Sequence, residues 1–125
     1  MVYIYVGLAG ALGAVLRYAI GLLAWNGSLF PIATFSINLI GSFLLAWLTT
    51  FVFIRTAIPD EWKSAIGTGF IGAFTTFSTL SVETVSLFQG GHALMAVLYA
   101  ALSMIGGLAM SFLGYHAASE RKEAK

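Results

Sequence analysis

Apolar residues run through this chain in four blocks, each close to the length of a bilayer crossing, with short polar punctuation between them. The blocks cover residues 2–24, 31–54, 62–88 and 93–117, and roughly 20 apolar residues in a helix suffice to cross the hydrocarbon core. Each block therefore predicts a transmembrane α-helix. Trp25-Asn26-Gly27-Ser28 reads as the first turn, with an interfacial aromatic, and Pro31 opens the second helix. Arg55 closes that helix at the interface. Pro59-Asp60-Glu61-Trp62 has the composition of a helix start: proline in the first turn, acids at the positive end of the dipole, and an interfacial tryptophan. Gly90-Gly91-His92 reads as the last tight turn, and the SERKEAK tail as a solvated helical end.

The third block is not uniform. From Ile66 to Leu80 it reads IGTGFIGAFTTFSTL, glycines followed by hydroxyls and phenylalanines in mid-span. This pattern predicts an interruption at residues 72–77. Unpaired amides and carbonyls are penalised in hydrocarbon, so irregular backbone at that depth survives only inside protein or beside a cavity. Such interruptions accompany sites where a small polar species binds or passes.

Composition fixes the class. Of the 125 residues, 59% are hydrophobic and only 9% charged, and the mean hydropathy is +0.92. The chain is an all-α integral membrane protein with a single transmembrane domain over residues 1–125. A net charge of +1 argues against a nucleic-acid partner, and zero cysteines exclude disulfides, thiolate metal sites and thiol catalysis. The N-terminus lacks a basic lead, so the first helix is expected to be retained rather than cleaved. A bundle this small has little room to enclose a pathway, which predicts oligomerisation. With an even number of spans, both termini and the 55–63 loop share one side. That side carries Arg55, Lys63, Arg121, Lys122 and Lys125, whereas the opposite turns hold at most Arg17. The bias places both termini in the cytoplasm.

Polar residues in the spans fall into stripes. Helix one carries Gly10, Gly13, Ala14, Arg17 and Gly21 largely on one face; the small residues suit close packing, while Arg17 must snorkel, pair or face water, and could attract an anion. Helix two carries Thr34, Asn38 and Ser42 at four-residue spacing, then Thr49. Its hydroxyls can bond back to their own helix, and the Asn38 amide can bond across to a neighbour or donate to a desolvated anion. In helix three Thr75, Thr79 and Glu83 fall on one stripe, with Ser78 and Phe77 nearby. Glu83 is the sole acid inside a span, and intramembrane carboxylates are costly enough to be read as functional. Phe77 alone would be a core residue, although an aromatic edge is electropositive and can meet an anion. Helix four shows Tyr99, Ser103, Gly107 and Ser111 at the same spacing, and its Gly106-Gly107 pair allows close approach of another helix.

Taken together, GALGAVLRY in helix one, TFSINLIGSFLLA in helix two, GFIGAFTTFSTLSVE in helix three and the Tyr99/Ser103 spacing resemble the Fluc (CrcB) family of fluoride channels. The N-x-x-G-S-F segment at Asn38–Phe43 and the run from Gly72 to Thr79 are specific in combination. The resemblance implies an antiparallel, dual-topology dimer in a prokaryotic plasma membrane, with narrow pores near the subunit interface passing fluoride down its gradient. It further implies that Asn38 is the pore-lining amide and Phe77 an ion-facing aromatic. Gly72 and Thr75 would offer backbone carbonyls to a structural Na⁺ at the dimer centre. Thr34, Ser78 and Thr79 would form a polar track with Glu83 toward a vestibule, Tyr99 and Ser103 would match pore-side positions of helix four, and Arg17 the helix-one arginine. One position departs: Leu80 stands where the family has its second box phenylalanine. Together with the lopsided charge, this suggests that the dimer forms either with a second copy or with an oppositely oriented paralogue.

Rival classes fit less well. A small proton-coupled multidrug exporter needs a deep acid, typically in helix one, and helix one here has Arg17 and no acid. A non-conducting structural subunit would leave the interruption and the polar stripes without purpose. No enzyme is indicated, since neither His92 nor His116 has a deducible nucleophile or carboxylate partner.

Overall fold

The computed structural model describes residues 1–24, 27 and 29–123; the predicted turn residues Trp25, Asn26 and Ser28 lie outside the described set. Helices long and apolar enough to cross a membrane span Val2–Leu23, Ile32–Arg55, Asp60–Gln89 and Ala93–Arg121, four in all among the described residues. The fourth continues beyond Ala117, where the sequence reading ended it, to Glu123. Ala-Ala-Ser-Glu-Arg-Lys-Glu contains neither glycine nor proline, so nothing in it stops a helix.

The first span lies along the first part of the third, and the second span along the fourth. Both pairings use missing side chains. A Cβ on Gly13 would sit 2.2 Å from the Phe70 carbonyl oxygen, and one on Gly69 would sit 2.6 Å from that of Val6. On the other pair, a Cβ on Gly114 would sit 2.4 Å from the Phe43 oxygen, and one on Gly106 2.8 Å from a Leu39 methyl. Backbone thus meets backbone, the packing that membrane helices use where lipid offers no hydrophobic drive. Gly21, by contrast, faces nothing within 4 Å.

Two stretches are wound more loosely than α-helix. Leu48–Val52 and Ala65–Ile71 are π-helical, a form found mostly as single turns at functional sites. The second carries Gly67 and Gly69, and its widened turn brings Gly69 against helix one. After it, Gly72–Phe74 returns to α-helix, Thr75 turns extended (φ −78°, ψ 157°), and helix resumes at Ser78. Gly72, assigned by sequence to the interruption, is therefore helical (φ −60°, ψ −38°), and the non-helical residues are 75–77. The cause is a competing acceptor: the Thr76 N–H donates to Asn38 Oδ1 at 2.8 Å, away from the carbonyl four residues back.

After this point the third span crosses over to pack on the fourth. Leu87, Ala96 and Tyr99 are buried there, with Phe30, Leu80 and Met95 against them. Elsewhere a single chain buries little. Only 6% of the first span's apolar window is inside the protein, against 28% of the third's. Leu8, Leu12 and Val15 stand exposed on helix one, and Met104, Ile105 and Leu108 on helix four. Such faces demand lipid or another chain.

Candidate functional site

The residues flagged in the sequence converge on the non-helical stretch and on the helix that follows it. Asn38 holds Thr76 by both backbone groups: its Nδ2 donates to the Thr76 carbonyl at 3.0 Å while its Oδ1 accepts the Thr76 N–H. One amide hydrogen of Asn38 remains, and the side chain lines a cavity of about 440 Å³ together with Ser42, Thr75, Phe77, Leu80 and Ser103. Ser103 is buried and its hydroxyl has no partner among the described residues. Phe77 is 79% exposed in the single chain, so its ring is available to the cavity mouth and to a neighbouring chain.

A second cavity, of about 320 Å³, is lined by Arg17, Thr34, Thr79 and Glu83. Arg17 Nη1 donates to Thr79 Oγ1 at 3.1 Å, which answers how a charge deep in the first span is satisfied. Its Nε is buried and unpartnered among the described residues. Thr76 lines the first cavity and Thr79 the second, and a 3.1 Å hydrogen bond between their hydroxyls joins the two walls. Glu83 accepts from Thr34 Oγ1 at 2.9 Å and from Tyr99 Oη at 2.7 Å, so each carboxylate oxygen has a hydroxyl donor. Tyr99 is fully buried behind it. Glu83 and Thr34 also line a third, wider cavity of about 520 Å³ with Ser86 and His92.

Some expectations need correction. Thr75 does not join Thr79 and Glu83 on one stripe, because the extended residue intervenes; its hydroxyl donates back to the Ile71 carbonyl at 2.9 Å. Ser42 likewise donates to the Asn38 carbonyl, and Thr49 to Leu45 and Ala46. Ser111 drifts off the helix-four stripe, since four-residue steps advance about 40° each beyond a full turn, and it lines an outer apolar cleft with Leu108 and Phe112. His116 packs against Phe112, ring centroids 4.4 Å apart.

Thr76 is the residue that sequence reading passed over. Off every stripe by helical arithmetic, it becomes central because the helix is interrupted at its own position. Its hydroxyl accepts the Thr79 N–H at 3.1 Å and lies 3.3 Å from Ser78 Oγ. The only available signal was its place between two residues already flagged.

The same rearrangement bears on cation chemistry. With the Thr76 N–H taken by Asn38 and the Thr79 N–H by a hydroxyl, the Gly72 and Thr75 carbonyls lose their helical donors. Gly72 is exposed. Freed carbonyls of this kind suit an alkali cation, for which they replace water. No group of three or more His, Cys, Asp or Glu side chains is found among the described residues, so the donor set is backbone.

Comparison with known proteins agrees in one direction. Residues 4–115 match the family model described as CrcB-like protein, Camphor Resistance (CrcB). The fluoride-specific ion channel FluC 1 of Desulfitobacterium hafniense (strain Y51) is 56% identical over 108 residues, covering 86% of this chain and 95% of that protein. FluC 1 of Bacillus cereus (strain ATCC 10987) is 53% identical, covering 92% of this chain and 85% of the relative. FluC 2 of Geobacillus kaustophilus (strain HTA426), also a fluoride-specific ion channel by name, is 50% identical with 98% of each chain covered.

Proposed function

The chain belongs to the CrcB-like family, and from that premise we propose that it is a fluoride-selective passive channel of a prokaryotic plasma membrane. Fluoride would leave the cytoplasm down its gradient and so spare the cell its accumulation. No reaction is catalysed.

The observation that carries this reading is the polar line through an otherwise apolar bundle. Arg17, Thr79, Thr76 and Asn38 are linked hydrogen bond to hydrogen bond, and they connect two cavities. A small anion entering a narrow path surrenders strong bonds to water, so closely spaced donors must replace them without holding the ion too tightly. The remaining Asn38 hydrogen, the Ser103 hydroxyl and the ring edge of Phe77 would supply the first cavity; Thr34, Ser78, Thr79 and Arg17 the second, with Glu83 and Tyr99 toward the vestibule. The half-open first cavity and the exposed faces support an antiparallel dimer. A Na⁺ held by the Gly72 and Thr75 carbonyls of both chains would act as structure, neutralising carbonyl ends that the interruption leaves unpaired.

Proteoliposome efflux tests this. Fluoride-selective release, abolished by Asn38→Asp or Phe77→Ile, is the expected result. Proton-coupled uptake of a lipophilic cation without fluoride release would replace the channel by an exporter. That outcome is disfavoured by helix one, which has no acid, and by Glu83, whose two oxygens are already engaged.

A second reading concerns partnership. Leu80 packs on the Leu87–Ala96–Tyr99 cluster and lines the first cavity, yet an aliphatic side chain has no polarised edge to offer an anion. With the one-sided distribution of Lys and Arg, this supports pairing with an oppositely inserted paralogue. Weak efflux from the lone chain, restored by co-expression with such a paralogue, is then expected. Full efflux from the lone chain would establish the homodimer instead.

A further inference from the structure

We infer that Thr76 is a positioning residue, whose hydroxyl aims the Thr79 O–H at the ion path; the inference rests on the channel reading above. It follows from counting lone pairs and hydrogens. Thr79 Oγ1 accepts from Arg17 Nη1 and from Thr76 Oγ1, each at 3.1 Å. A hydroxyl oxygen has two acceptor positions and one hydrogen, so both acceptor positions are filled and only the hydrogen is left to offer. No described residue accepts it, and Thr79 lines the 320 Å³ cavity beside Arg17. The hydrogen therefore faces the cavity, as an anion requires.

Thr76 is what holds this direction. Its hydrogen goes to Thr79, and its oxygen accepts the Thr79 N–H at 3.1 Å. The hydroxyl thus grips Thr79 at backbone and side chain together and caps the helix that begins at Ser78. Ser78 Oγ, 3.3 Å from the same oxygen, is left to donate inward, because the Thr76 hydrogen is already used. Asn38 meanwhile fixes Thr76 through its main chain alone. Changing the Thr76 side chain consequently leaves the Asn38 clamp in place and isolates the hydroxyl.

The test uses the purified channel in whichever assembly conducts, and two readouts. Thr76→Val should lower fluoride efflux about tenfold, the scale of one lost hydrogen bond, while dimer content stays unchanged. Thr76→Ser should restore it. In a Thr79→Val background, adding Thr76→Val should cost little more, because the first residue acts through the second. Independently of conduction, amide hydrogen exchange at Thr79 should accelerate in Thr76→Val and not in Thr76→Ser. Should Thr76→Val not assemble, Thr76→Ala carries the same expectations. Unchanged efflux, failure of serine to rescue, fully additive losses, or an unchanged Thr79 exchange rate would each overturn the role. A wild-type protein that releases no fluoride would sink the channel reading, and the exchange readout would still decide Thr76.

Discussion

The two parts of the third span are held by opposite means. Before the interruption, Asp60–Phe74 packs by shape: glycines at 67 and 69, a π-helical turn, and backbone oxygens pressed against helix one. After it, Ser78–Gln89 is tied by side-chain hydrogen bonds from three other spans, through Arg17, Thr34 and Tyr99. The first arrangement tolerates no added atom but has little polarity to lose. The second tolerates changes of bulk and is sensitive to each donor. In a bilayer both solutions are available, since small residues and interhelical hydrogen bonds are the usual adhesives there.

Substitutions can break that contrast or sharpen it. Gly13→Ala should have the largest effect, because its methyl would meet a main-chain oxygen that cannot move aside. Overpacking of this kind costs about 3 kcal/mol at its upper range, and the monodisperse species in size-exclusion chromatography should disappear. Gly10→Ala, 3.5 Å from the Gly69 oxygen, and Gly21→Ala, with nothing within 4 Å, should both behave as wild type; loss in either would show that shape does not govern this half. Next comes Asn38→Leu, which removes both bonds to Thr76. At about 1 kcal/mol each, efflux should fall roughly thirtyfold while the assembly persists. Tyr99→Phe deletes the bond to a Glu83 oxygen, and a loss of about 1.5 kcal/mol should appear as a lower melting temperature. Thr84→Ala should be the mildest, below about 0.5 kcal/mol, because that hydroxyl bonds only to the Leu80 carbonyl of its own helix.

Much of the frame was legible in the residues. Hydropathy alone delimits the spans, because a bilayer imposes a length that few other environments require. The small residues of helix one and the Gly106-Gly107 pair announced close packing, and the coordinates put Gly13 and Gly106 at such contacts, though not Gly21. The site was legible only in its membership. Thr34, Glu83 and Tyr99 each carry an obvious polar group, yet their union depends on how the third span turns after Phe77. Periodicity assumes an unbroken helix, so it aligned Thr75 with Thr79 and overlooked Thr76. The π-helical turns were invisible for the same reason: they are set by tertiary contact, and Ala65–Ile71 has no composition that distinguishes it from α-helix.

Those turns have an evolutionary corollary. A π turn accommodates about one residue more than the α turn it replaces, so the stretch at Ala65–Ile71 behaves as an insertion already absorbed. Deleting a single residue there would restore regular winding and rotate everything downstream by about 100°. Thr76 would swing away from Asn38 although neither had been mutated. Length changes in this segment should therefore be purged more strictly than replacements, making residue count, rather than identity, the quantity under selection.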